Sequence, residues 1–210
     1  MSKKLLLCLL VLLVAAVVLN RPLQAPLAAE LSALVASPAG FDPTLSIDRE
    51  PLQINLAEPE SLRVGEYQFS LMADFQLEAR VLGRRDYRRD SSAELSPIDL
   101  ALGWGPMARD DILQHVDISQ RGRFYYWRVQ AYPIPRNEII RSSANMHMIP
   151  ASQAVLDELK RTREGSRVRL RGYLVNVDRD DGWRWRTSMV RTDTGSGACE
   201  VVLVTLAEVD

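Results

Sequence analysis

Hydrophobic and polar residues alternate along much of this chain. In YQFSLMADFQLEARVLGRRDY, residues 67–87, the apolar positions Phe69, Leu71, Ala73, Phe75, Leu77, Ala79 and Val81 are all odd. A period of two over that length predicts a long β-strand or a bent strand pair. Gly83-Arg84-Arg85-Asp86 ends it, and the polar residues 84–97 read as a loop. In DLALGWGPMARDDILQHVDI, Gly103 and Gly105 bracket Trp104, which predicts a tight loop presenting an indole. A short helix over 108–115 follows, with Asp110 and Asp111 near its positive end. RFYYWRVQAYPIP reads as a strand with aromatics on both faces, stopped by Pro133 and Pro135.

The clearest helix lies in SSANMHMIPASQAVLDELKRTREG. Pro150 and Ser152 suit its start, Ala151, Val155 and Leu159 share a face, and Gly165 suits its stop. RVRLRGYLVNV then alternates through Val168, Leu170, Gly172 and Leu174 before the apolar phase moves to Val175 and Val177. A slip around a glycine predicts a bulge that bends the strand. WRWRTSMV and ACEVVLVTL supply two more strands, joined by RTDTGSGACE. A helix leading into a bent strand and a hairpin is the pattern of an OB-type barrel. The expected fold is mainly β with a few helices (α+β), a small OB-like barrel or curled sheet behind an N-terminal transmembrane helix.

That last element is read from the N-terminus. Lys3 and Lys4 precede an apolar run from Leu5 to Leu19, which closes at Asn20-Arg21-Pro22. This is the pattern of a secretory signal or an uncleaved signal anchor. Leu27-Ala28-Ala29, the best cleavage site, lies late, which favours retention. Residues 1–21 are therefore expected to anchor the chain, 22–62 to form a Pro-rich tether, and 63–210 to form a single β-rich ectodomain. The lysines stay on the cytoplasmic side. The expected location is the bacterial inner membrane, single pass, with the C-terminal domain in the periplasm.

Charge adds little. The formal net charge is −1, so bulk electrostatics names no partner. The stretch from Lys160 to Arg171 is basic and can meet an acidic partner or anionic headgroups.

Candidate chemistry centres on RTDTGSGACE. Asp193-Thr194-Gly195 spells the triplet of an aspartic protease, but that chemistry needs two such carboxylates, and turn-forming residues between strands explain the triplet. Cys199 is the single cysteine outside the apolar run, where Cys8 lies. A cysteine nucleophile needs a histidine and a group to orient it. His147 is the candidate partner, with Asn145, Asp193 or Glu200 as the orienting group. Two histidines, His115 and His147, lack the close spacing of a zinc site, so no metal and no cofactor is expected. The second class of function is binding. Trp104, the strand residues Tyr125, Tyr126 and Trp127, and Trp183 and Trp185 beside Arg186 can form an aromatic and basic surface for sugars, peptides or acidic polymers. An exported location argues against nucleic acid. The expected partners are the membrane, through the N-terminal helix, and an envelope protein or glycan.

The blocks SPIDLALGWGPM, FYYW, SANMHMIPA, RLRGYLVNV and RTDTGSGACE resemble a family of uncharacterised exported or membrane-anchored bacterial proteins. The resemblance spans roughly residues 65–205. It implies one bacterial ectodomain and brings no activity. On these grounds the chain reads as a membrane-tethered envelope protein with a binding or assembly role, and alternatively as a hydrolase or acyl-transfer enzyme using Cys199 and His147.

Overall fold

The computed structural model describes residues 29–33, 40–195 and 197–210. The expected anchor at 1–21, with Cys8, lies outside the described residues. Among the described residues no helix is long and apolar enough to cross a membrane.

The strands are β1 (Leu52–Val64), β2 (Tyr67–Asp86), β3 (Ile98–Gly103), β4 (Asp117–Arg121), β5 (Phe124–Arg128), β6 (Ser143–Pro150), β7 (Arg167–Arg179), β8 (Arg184–Trp185) and β9 (Glu200–Val209). Besides a helical turn at residues 29–33, the helices used below are α1 (Asp110–Leu113), α2 (Arg136–Arg141) and α3 (Gln153–Arg161). The fold is mainly β, as expected, and its main sheet is curled. Seven strands run in the order β1-β2-β3-β6-β9-β7-β8, and β2 also pairs with β7. The ladder β2–β3–β6–β9–β7 therefore returns to β2. Its neighbours are antiparallel except β6 and β9, which are parallel. Strands β4 and β5 form a separate hairpin.

Register shifts interrupt four ladders of the main sheet, and two of them flank β7. In β2, Leu71 pairs with Val175 but Ala73 pairs with Leu174, so Met72 is an extra residue. This bulge switches the face of the strand. Ala73 to Val81 serve a core with Leu100, Met146, Leu170 and Val202, whereas Phe69 and Leu71 serve a second core with Val175, Val177, Val201 and Leu203. The phase slip along β7 thus marks a second core on the other face. The bulge expected in the strand around Gly172 falls on its neighbour: Arg171 pairs with Leu206 and Gly172 with Val204, leaving Thr205 of β9 as the extra residue. A Cβ on Gly172 would collide with the Leu203 carbonyl, so only glycine permits the approach.

Helix α3 forms as its pattern predicts. The Ser152 hydroxyl accepts from the Val155 N–H at 3.2 Å, and Val155, Leu156 and Leu159 pack into the first core.

Other segments differ from expectation for identifiable reasons. Residues 52–62, the end of the stretch read as a tether, form most of β1, which runs on to Val64. Strand β2 runs to Asp86 because Arg84, Arg85 and Asp86 pair with β3. β3 is buried throughout, so it carries no alternation to betray it. The loop after it does not present an indole. Trp104 is 1% exposed and belongs to the first core. Its backbone N–H donates to the Ser142 carbonyl at 2.9 Å and the Gly105 N–H donates to the Ile47 carbonyl at 2.7 Å, which draws the loop inward. Finally, RTDTGSGACE is not the end of a hairpin. β2 covers one edge of β7, so β8 and β9 occupy the other edge in succession, and they do not pair with each other.

Candidate functional site

On β6, Met146 and Met148 enter the first core, so Asn145 and His147 project from the opposite face. Asp99 on β3 stands directly across from His147. The β4–β5 hairpin folds over this polar patch. Its tip, Gly122-Arg123, has positive φ at both residues, 58° and 69°, as a two-residue hairpin turn requires. Strain at Arg123 is held in place by its contacts. The guanidinium donates to Asp90 Oδ1 at 2.8 Å and Oδ2 at 2.9 Å, to the Ser96 carbonyl at 2.9 Å and to Asp99 Oδ1 at 2.7 Å. It also lies 3.7 Å above the Tyr87 ring. Arg123 thereby rivets the hairpin to the sheet.

Cys199 and His147 have separate partners. Parallel pairing of Met146 with Glu200 and His147 with Val201 sets Asn145 beside Cys199. The Cys199 thiol donates to the Arg123 carbonyl at 3.7 Å and accepts from Asn145 Nδ2 at 3.9 Å. Burial, with the nearby Glu200 charge, pushes this thiol up to about 12, so it stays protonated and a poor nucleophile. His147 Nδ1 sits 3.0 Å from Asp99 Oδ1, without hydrogen-bond alignment, and its ring lies 4.7 Å from Trp185.

Next to this patch opens a cavity of about 390 Å³. Its walls are the strand Phe124–Trp127, the start of β6 at Ser143, Ala144 and Asn145, and both ends of the 190–200 loop. It exists because β9 begins opposite Met146, which leaves the first residues of β6 without a neighbouring strand on that side. Tyr125 is fixed by a 2.5 Å contact between its hydroxyl and Ser143 Oγ, and burial pushes its phenol up to about 12. Phe124 and Tyr126 are exposed, with ring centroids 6.5 Å apart. The Arg136 guanidinium lies 5.9 Å from the Trp127 ring.

Glu200 also lines the cavity, and it is 1% exposed. Arg191 donates to Glu200 Oε1 and to Gln53 Oε1, while Glu200 Oε2 has no partner among the described residues. Burial raises its carboxyl and Arg191 only partly offsets this, leaving it at about 7. Asp193 accepts from Ser188 Oγ at 2.7 Å and forms part of the cavity wall.

The structure therefore gathers Asn145, Asp193, Cys199, Tyr126 and Trp127 around one cavity. It places Trp183 and Trp185 elsewhere, edge to face at 5.7 Å against the second core, with Arg186 bound to Asp178 at 2.6 Å. Arg123, Asp99 and Arg191 escaped sequence reading. For Arg123 a signal existed, the RGR turn between two alternating segments; for Asp99 and Arg191 there was none. Among the described residues no cluster of histidine, cysteine and carboxylates could hold a metal ion. Comparison with protein-family models, curated proteins and solved structures gives no match.

Proposed function

We propose that this chain is a binding module of the bacterial envelope, built on an OB-type barrel and tethered to the inner membrane by residues 1–21, with the cavity beside β5 as its ligand site. Three features support the barrel: the ladder β2–β3–β6–β9–β7 returns to its first strand, β6 and β9 are parallel, and α3 connects β6 to β7. In such barrels ligands lie across the second and third strands, flanked by the loop between the first and second strands and the loop between the fourth and fifth. Here those places belong to β3 and β6, to residues 87–97 and to residues 180–199. The cavity shares β6 and the second of these loops, and the β4–β5 hairpin supplies its other wall. Fold analogy alone does not establish function. The observation that carries the reading is the cavity itself, with its aromatic wall and a fully buried, half-satisfied Glu200 in its lining.

The test is to titrate the full chain in detergent with defined glycans and peptides while following backbone amide shifts. A true ligand moves Tyr126, Trp127 and Asp193 together. Binders that move only residues remote from the cavity would remove the proposal. The tether is checked separately: the ectodomain should be digested by protease in spheroplasts, and its protection there would place it on the wrong side.

A further inference from the structure

We infer that the cavity receives an extended peptide, which adds as a strand to the free edge of β5 and sets a carboxylate against Arg136. This rests on the cavity being the ligand site and names the ligand's class. β5 pairs with β4 and with no other strand among the described residues. The two-residue turn makes Arg121–Phe124 a hydrogen-bonded pair, and alternation assigns the same to Ser119–Tyr126 and Asp117–Arg128. Tyr125 and Trp127 occupy the intervening positions. Their N–H and C=O groups point away from β4, and neither has a backbone partner among the described residues. Both residues line the cavity.

A peptide satisfies what this site leaves open. Most polar side chains around the cavity are already engaged: Asn145 with Gln120 and the Arg123 carbonyl, Asp193 with Ser188, and one oxygen of Glu200 with Arg191, which leaves Glu200 Oε2 open. A sugar would need such groups free, because side-chain donors and acceptors fix its orientation. Beside Glu200 Oε2, the unsatisfied groups are main-chain, at a strand edge, which is how strand addition gains affinity. The added strand would present alternate side chains to the Tyr125 and Trp127 side and to the exposed pair Phe124 and Tyr126. Arg136 supplies the charge complement. Its guanidinium lies over the Trp127 ring and has no carboxylate partner among the described residues.

The probes are acetylated peptides of alternating valine and threonine, made with a free or an amidated C-terminus and N-methylated at one alternate set of residues or the other. They are titrated against the full chain in detergent, with hydrogen exchange followed at Tyr125 and Trp127. Both amides should exchange freely alone and slow when peptide is bound. Methylating one alternate set should weaken binding about tenfold or more, while the other set is tolerated. Arg136→Gln should erase any preference for the free carboxylate and leave the fold intact. If both methylated sets bind as well as the parent and still shift Trp127, strand addition fails and the cavity remains the ligand site. If no peptide binds at about 1 mM, strand addition fails; if glycans and small amphipathic molecules are blank as well, the cavity reading falls with it.

Discussion

Glu200 offers a prediction whose sign and size both come from its surroundings. Its carboxyl is fully buried, with one oxygen on Arg191 and the other unpartnered. The folded chain holds that proton to about pH 7, whereas an unburied glutamate releases it near 4.5. Between those values the folded state binds more protons than the unfolded state. Stability is therefore fully present below pH 4.5 and is lost as pH rises through 7. The interval corresponds to about 3 kcal/mol as an order of magnitude. Glu200→Gln keeps the shape and removes the titration. The assay is urea unfolding of both chains at steps from pH 4.5 to above 7, followed by tryptophan emission. Relative to the unmodified chain, the glutamine variant should gain about 3 kcal/mol across that range. Asp178 and Asp181, held below their usual range by hydrogen bonds from Arg186 and Arg179, act in a more acidic window and cancel in the difference. A difference that stays flat with pH, or that moves the other way, refutes the reasoning about the buried carboxyl.

Three further outcomes are expected. Arg123→Ala strips the cation from Asp99, which is 0% exposed, and should cost about 3–5 kcal/mol in chemical unfolding; a loss under about 1 kcal/mol would show that the hairpin is not riveted there. Gly172→Ala drives a methyl into the Leu203 carbonyl across the β7–β9 bulge and should destabilise by about 1–3 kcal/mol, an unchanged urea midpoint being the contrary result. Cys199, with its thiol pushed up to about 12, should resist iodoacetamide near neutral pH until the chain is denatured, as read by peptide mapping that separates it from Cys8; prompt native labelling would restore the nucleophile reading.

Much of the fold was legible wherever one face was wet. α3 announced itself through Ser152 and its apolar stripe, and β7 through its alternation and Gly172. β3 and β6 were hidden because both are buried on both faces: one side fills the first core, and the other lies under the hairpin or in the second core. Fully covered strands lose the period-two signal. The bulge at Met72 was hidden for a different reason. Odd positions stay apolar on both sides of it, because both faces of β2 find a core. The site was half legible. Tyr126, Trp127, Asn145, Asp193 and Cys199 were picked by residue type and do share a cavity. Trp104 was misplaced because flanking glycines suit a close inward approach as well as an exposed turn. The Met107 carbonyl packs where a Cβ on Gly103 would stand.

The pairing of Asn145 with Cys199, rather than His147 with Cys199, follows from register. β6 and β9 are parallel, so one residue of slip would change which side chain meets the thiol and turn that chain's polar face into its core. Met146, Met148, Val202 and Val204 hold the register from the core side. The polar residues on the far face are therefore placed by the packing of residues they do not touch. Arg123 then closes that face from above, and its carbonyl takes up both the thiol and the Asn145 amide. With these groups satisfied by the hairpin, the open valences at the cavity among the described residues include the β5 edge and one oxygen of Glu200.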